Sequence, residues 1–193
     1  MTMQAIYDWI DANADECIRD LQAFVQQPSV SAQNIGLREC ATLIRDMMRT
    51  DGLPADFHEL AQGPPVVFGH LQAARPAKTI LCYAHYDVQP PEPLEAWSHG
   101  GPWSAAIVDG VLYGRGATDN KSGVLAFTKA AKAFLAVRGE VPANLKFLIE
   151  GEEEIGSPNL AAWAAANKDL LAADGMHCQI GRASCRERVF AIV

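Results

Sequence analysis

Residues 78–88 read KTILCYAHYDV, and the rest of the chain is organised around this stretch. Residues 80–84 are apolar or aromatic without alternation, which is typical of a strand buried on both faces of an α/β sheet. Such a strand delivers its C-terminal residues to the crevice where ligands bind. His85 and Asp87 follow the apolar run and, with a period of two, point to the same side. Asp87 can therefore hold one imidazole nitrogen while the other nitrogen faces a metal.

The composition is that of an ordinary globular domain, with 193 residues of which 49% are hydrophobic and 20% charged. The net charge of −7 argues against nucleic acid or an anionic membrane as the main partner, because those need clustered lysine and arginine. Clustered carboxylates suit cations instead. The charge balance therefore favours a cation as the ligand.

The cysteines and the N-terminal segment predict a soluble cytoplasmic protein. The five cysteines are scattered, odd in number and without a C-x-x-C pair, so neither a disulfide framework nor a thiolate zinc site is expected. Acidic residues at positions 8, 11, 15 and 16 stand where a signal peptide would need an apolar core. No run of residues approaches the length of a membrane span.

A second candidate residue, Asp119, lies in the glycine-rich segment GRGATDNKSG, residues 114–123. It precedes a helical pattern that ends at Gly139, so a helix N-cap is an alternative to a functional role. A phosphate-binding loop is excluded, because Asn120 and Asp119 stand where the phosphate and dinucleotide motifs need glycine. A carboxylate there would repel phosphate.

A third candidate cluster follows the apolar strand of residues 145–149 and reads EGEEEIGS, residues 150–157. Four carboxylates within five residues repel one another, and a crevice holds them charged only with cations. A solvated acidic loop is the alternative. Position favours the crevice, because three strand-to-loop transitions each carry histidine or carboxylate, and such strand ends converge in an α/β sheet.

The combined histidine and carboxylate set suits zinc, with manganese or cobalt as options, better than calcium. A single aspartate between two other ligand sources can bridge two ions. In the pair Glu153 and Glu154, one carboxylate can bind metal while its neighbour takes a proton from water. The residues therefore predict a two-metal hydrolase.

Three motifs, AHYDV (84–88), GRGATDNKSG (114–123) and EGEEEIGS (150–157), occur in this order. Together they resemble the dinuclear-zinc metallopeptidase family of carnosinase-like dipeptidases, aminoacylases, glutamate carboxypeptidases, acetylornithine deacetylase and succinyl-diaminopimelate desuccinylase, and most closely its dipeptidase subgroup. The resemblance covers about residues 3–177. It implies the following roles: His85 binds the first metal, Asp87 orients His85, Asp119 bridges both ions, Glu153 is the general base and Glu154 binds the second metal.

The chain departs from this family in its last part. The family has a further acidic ligand about 30 residues beyond the catalytic glutamate, and a histidine ligand near the end of a chain about twice as long. Residues 179–193 read QIGRASCRERVFAIV and resemble a frameshifted or cloning-junction tail. We therefore expect residues 1–178 to be the N-terminal part of a metallopeptidase catalytic domain, inactive by itself, and 179–193 to be non-native.

The fold class predicted is α/β, an α/β/α sandwich with a mainly parallel or mixed central sheet and helices on both faces. Helices are expected over 3–26, 35–50 and 159–171, and from the DNKSG segment to Gly139. Short strands are expected over 57–60 and 66–71, and a tight hairpin over 106–113.

By the resemblance, the substrate is a small peptide or an N-acyl amino acid with a free carboxylate, and a homodimeric parent is left open. Two other hypotheses compete with this one. A non-catalytic metal- or peptide-binding module derived from such an enzyme would keep the metal ligands without hydrolysis. A structural α/β domain would carry the same acids fully solvated.

Overall fold

A five-stranded mixed sheet organises the computed structural model, which describes residues 2–75 and 77–178 of the chain. Its strand order is β1-β2-β6-β3-β7; β6 is parallel to β3, β3 is parallel to β7, and the β1-β2 and β2-β6 pairs are antiparallel. A separate antiparallel hairpin is formed by β4 and β5. The strands are β1 Ala55–His58, β2 Val66–Leu71, β3 Thr79–His85, β4 Ala106–Val108, β5 Val111–Tyr113, β6 Asn144–Glu150 and β7 Gly175–Cys178.

Helices cover both faces of the sheet, so the predicted α/β sandwich with a mixed central sheet is confirmed. One core joins β2, β3 and β6 to α2, α3 and α4 through side chains such as Phe24, Ile44 and Phe147. On the other face, Leu148 and Leu81 pack against Trp163 and its neighbours. The helices are α1 Gln4–Ala12, α2 Ala14–Gln26, α3 Leu37–Thr50, α4 Ser122–Arg138, α5 Leu160–Ala166 and α6 Lys168–Leu171.

The stretch at 78–88 forms β3 and ends as a strand at His85, as the sequence predicts. Cys82 and Ala84 face one core while Leu81 faces the other, which explains a run without polar alternation. The hairpin at 106–113 is also confirmed. Asp109 and Gly110 both have positive φ, the backbone that a two-residue hairpin turn of this kind requires.

Several element boundaries differ from the prediction. The helix expected over 3–26 is two helices, because Asn13 leaves helical geometry and its side-chain amide donates to the Trp9 carbonyl oxygen, 2.7 Å away. The helix expected over 159–171 is likewise divided, at Asn167. The strand expected over 57–60 is Ala55–His58, and β7 was not predicted at all.

None of the helices within residues 2–75 and 77–178 is long and apolar enough to cross a membrane. The tail predicted over 179–193 lies outside the described residues. Its non-native origin stays a prediction.

Candidate metal centre

Two parallel neighbours in the sheet, β3 and β6, bring the first and third motifs to the same edge. In their register His85 is the partner of Glu150, the last residue of each strand. The carboxyl ends of parallel strands open onto the crevice of an α/β sheet, so the loops that follow face each other. His85 and Asp87 are both fully buried there.

Asp119 reaches the same edge from the turn at Ala117–Lys121 that precedes α4, where Asp119 and Asn120 have non-helical backbone angles. Its Oδ1 lies 3.2 Å from Nε2 of His85. The chain enters this turn through Gly116, where φ is +82° and a Cβ atom would collide with Val88. Asp119 makes no side-chain capping hydrogen bond to α4, so the N-cap alternative is wrong.

The Asp87 carboxylate contacts both His85 and the turn that carries the paired glutamates. His85 Nδ1 lies 3.1 Å from the carbonyl oxygen of Asp87 and 3.3 Å from its Oδ1. The same carboxylate accepts hydrogen bonds from the backbone N–H groups of Glu153 and Glu154, at 3.1 and 3.0 Å. Sequence reasoning assigned Asp87 the first contact and missed the second, because the second depends on how two distant loops pack.

The four glutamates of the third motif do not all converge, which corrects the expectation drawn from their spacing. Glu150 accepts a hydrogen bond from the Ser157 hydroxyl at 2.6 Å. Glu152 turns the other way and accepts from the Asn159 side-chain amide at 2.9 Å. Only the last two acids of the run point toward His85. Their mutual repulsion is therefore limited to a pair.

His85, Asp119 and Glu154 form a group whose ligand-type atoms all lie within 4.8 Å of one another. His85 Nε2 and Asp119 Oδ1 are buried and have no partner with hydrogen-bond geometry in the described part of the chain. Buried polar atoms without partners carry a desolvation cost, which a coordinated cation removes. The donor set therefore fits a divalent metal of the zinc type. Glu153 lies beside this group, with Oε2 3.6 Å from Nε2 of His85.

Crowded charge sets the electrostatics of this cluster. Burial lowers the pKa of His85, but the nearby carboxylates of Asp119 and Asp87 outweigh burial and raise the pKa to about 10. Burial raises the pKa of Glu153 and of Glu154, and the neighbouring carboxylates add to both shifts. Raised pKa values mean that the cluster tends to bind protons, which offset its negative charge. A bound cation would offset the same charge.

Gln89 and Lys121 support the cluster, and sequence reasoning gave neither a role. Gln89 Nε2 donates to the Glu154 backbone oxygen at 3.1 Å and to its Oε2 at 2.8 Å. Lys121 is fully buried and donates to the carbonyl oxygens of Phe24 and Gln27 at the end of α2. These two hydrogen bonds attach the turn that contains Asp119 to the end of α2. They also satisfy carbonyl groups at a helix C-terminus that would otherwise lack partners.

The proline-rich loop after Asp87 is anchored by its own tryptophan. Trp97 Nε1 donates to the Pro91 carbonyl oxygen at 2.6 Å, and the Arg115 guanidinium lies 5.2 Å from the Trp97 ring centroid. Arg115 also donates to the Pro90 carbonyl oxygen at 3.2 Å. These contacts give Trp97 a role in packing the loop.

A second acidic cluster between α2, α3 and α4 already has its cations. Glu16, Asp20 and Asp51 lie close enough together to share an ion. Lys129 bonds both Asp20 and Asp51, and Lys132 bonds both Glu16 and Asp51, the last at 2.7 Å. This cluster is therefore an ion-pair network that ties three helices together.

Comparisons with known proteins agree with the motifs. The model of peptidase family M20/M25/M40 matches residues 81–192. The beta-Ala-His dipeptidase of Rattus norvegicus is 34% identical over 184 residues, which cover 87% of this chain and 37% of the rat protein. A succinyl-diaminopimelate desuccinylase of Methylorubrum extorquens is 32% identical, covering 83% of this chain and 41% of that protein.

Among solved structures, human carnosine dipeptidase 1 superposes with a TM-score of 0.85 at 31% identity. The alignment covers 92% of this chain and 41% of the human chain. This chain thus spans about two fifths of the length of the curated relatives it matches. The resemblance inferred from three motifs is confirmed, and the chain belongs to peptidase family M20/M25/M40.

Proposed function

We propose that this chain carries the metal-binding half of a metal-dependent hydrolase that cleaves amide bonds in dipeptides, other small peptides or N-acyl amino acids with a free carboxylate. One observation supports this most directly. The buried His85 Nε2 and Asp119 Oδ1 lack hydrogen-bond partners within the described residues. His85, Asp119 and Glu154 each offer a ligand-type atom, and the three atoms lie within 4.8 Å of one another.

In this proposal His85 would hold the first ion, Asp119 would be shared by two ions and Glu154 would hold the second. The donor set suits zinc, with manganese or cobalt as alternatives. Bound there, they would polarise an amide carbonyl and make an attacking water more acidic. Asp87 keeps the His85 ring oriented through Nδ1, so that Nε2 stays directed at Asp119.

Glu153 is proposed as the general base. Its backbone N–H is held by Asp87, and its Oε2 lies 3.6 Å from His85 Nε2, beside the ligands rather than among the group of three. From there it can take a proton from the attacking water and pass it to the leaving amine. A pKa raised by burial places Glu153 closer to the range where a base both accepts and releases protons.

We further propose that this chain does not hydrolyse substrates by itself. In the proposed centre each ion would have two ligands from the described residues, because Asp119 is shared, whereas catalytic zinc sites use about three protein ligands each. The relatives are more than twice as long, so a longer parent would supply the rest. Cytoplasmic location and a homodimeric parent stay predictions.

Calorimetric titration of the chain with zinc tests the metal proposal. We expect uptake by the wild type and by His70→Ala, a matched control because His70 is an exposed strand residue. His85→Ala and Asp119→Ala should abolish the uptake. Equal uptake by His85→Ala would refute the assignment and favour a structural domain with solvated acids.

Activity separates the enzyme from a binding module. In the metal-loaded parent enzyme, Glu153→Gln should abolish dipeptide cleavage while leaving zinc affinity unchanged, since Glu153 is not a proposed ligand. Glu154→Ala should instead weaken the second ion. A parent that binds zinc but cleaves neither dipeptides nor N-acyl amino acids would favour the non-catalytic module.

A further inference from the structure

Glu150 is a buried carboxyl group to which the proposed mechanism gives no role. It is the last residue of β6, is 1% exposed and is the register partner of His85 on β3. Strand alternation places it on the same face of the sheet as Tyr83 and Leu148, the face that α5 and α6 cover. It therefore lies beneath the turn that follows β6.

Two hydroxyl groups donate to one oxygen of this carboxyl group. The Tyr83 hydroxyl lies 2.5 Å and the Ser157 hydroxyl 2.6 Å from Glu150 Oε1, while Oε2 is buried without a hydrogen-bond partner in the described chain.

Ser157 closes the turn that bears the paired glutamates. Its backbone N–H donates to the Glu152 carbonyl oxygen at 2.8 Å, so the segment from Glu152 to Ser157 is one hydrogen-bonded unit. Asp87 holds the start of this unit through two backbone N–H groups. Glu150 holds its end through the Ser157 hydroxyl.

We propose that Glu150 is a positioning residue that, by accepting from Tyr83 and Ser157, clamps the turn at 151–157 so that its paired glutamates stay beside His85. The inference rests on the proposed function only in assigning metal binding to that turn. Without the Glu150 carboxylate, the hydroxyl groups of Tyr83 and Ser157 lose their acceptor, and only Asp87 still holds the turn. Ligands held by such outer contacts lose about 10- to 100-fold in metal affinity when the contacts are removed.

The test compares four variants of the full 193-residue chain. Ser157→Ala removes one hydroxyl at an unchanged positive φ, and Glu150→Leu removes the acceptor. Glu150→Gln keeps an acceptor oxygen and serves as the conservative rescue. Tyr113→Phe is a hydroxyl deletion in the hairpin, away from this network. Zinc affinity by calorimetry, hydrogen–deuterium exchange of peptides covering 151–157, and the melting temperature are measured for each.

We expect Ser157→Ala and Glu150→Leu to bind zinc about 10- to 100-fold more weakly and to exchange faster at 151–157. Glu150→Gln and Tyr113→Phe should match the wild type. A lower melting temperature with unchanged zinc affinity and exchange would overturn the proposal, since the role would then be structural only. If Glu150→Leu does not fold, Ser157→Ala decides.

Failure of the proposed function can be told apart from failure of this inference. If the wild-type chain takes up no zinc, the metal proposal fails and exchange alone judges the clamp. Faster exchange at 151–157 in Ser157→Ala would then sustain it, and unchanged exchange would refute it.

Discussion

Gly151→Ala tests how closely the turn at 151–157 packs against Tyr86, the residue that follows β3. A Cβ atom at Gly151 would lie 2.5 Å from Cε2 of Tyr86 and closer still to Cζ and the hydroxyl oxygen. Tyr86 has no room to yield, because its side chain is fully buried and its hydroxyl donates to the Pro65 carbonyl oxygen at 2.8 Å. The φ angle of Gly151 is not positive, so alanine meets a steric obstacle and no backbone strain.

The magnitude follows from two opposing contributions. Forcing a methyl group into a filled core costs about 3 kcal/mol at the upper end of the observed range. Restricting the unfolded chain by replacing glycine returns about 0.7 kcal/mol. The free energy of unfolding should therefore fall by about 2 kcal/mol, which for a domain of this size lowers the melting temperature by about 4–8 °C.

Urea denaturation of the metal-free chain measures this change as a shift in midpoint at constant slope. Gly175→Ala is the matched control, because nothing lies within 4 Å of its Cβ position and its φ is not positive. It should be neutral or slightly stabilising. Combining Gly151→Ala with Tyr86→Leu should cost less than the sum of the single changes, by about 1–3 kcal/mol of coupling.

Two results would refute this reasoning. The first is a Gly151→Ala variant as stable as Gly175→Ala, which would mean that the turn does not pack against Tyr86. The second is additive effects of the single changes at Gly151 and Tyr86, without coupling. Either outcome would also remove support for the close approach that brings Glu153 and Glu154 to Asp87.

Two further predictions concern acid stability and thiol reactivity. The hydrogen bond from Lys132 lowers the pKa of Glu16 below its ordinary 4.5. The unfolded state therefore binds more protons, and stability is lost as the pH falls below about 4.5. The free energy of unfolding, measured against pH, should fall less steeply in Glu16→Gln. Burial raises the pKa of the Cys82 thiol to about 11, and Cys40 is buried as well. Mass spectrometry after brief iodoacetamide treatment of the native chain should find exposed Cys178 alkylated well before both.

Local patterns were sufficient to predict the elements that carry the site. The unbroken apolar run before His85 predicts a strand with two buried faces, and its polar ending predicts where ligands gather. The Asp109-Gly110 pair predicts the hairpin for an equally local reason, the positive φ of its two turn residues. These features depend on residues that are neighbours in sequence, so the amino-acid sequence is enough to predict them.

Other features depend on contacts that only the folded chain creates, and they could not be predicted. The directions taken by Glu150 and Glu152 are set by Ser157 and Asn159, and spacing alone suggested convergence. Lys121 is buried against the C-terminus of α2, almost 100 residues earlier, and no local pattern indicates this contact. β7 is too short and too exposed to show a pattern.

The two hydrogen bonds that Asp87 accepts from successive backbone N–H groups have a kinetic consequence. The amide dipoles offset part of the anionic charge at the edge of the sheet, and both hydrogen bonds join protein groups, so they do not require a metal ion to form. In the proposed metal centre, an arriving cation would then have to shed water but not wait for this turn to rearrange. Uptake should therefore track the water-exchange rate of the ion, with ions that exchange water slowly, such as nickel, entering much later than zinc.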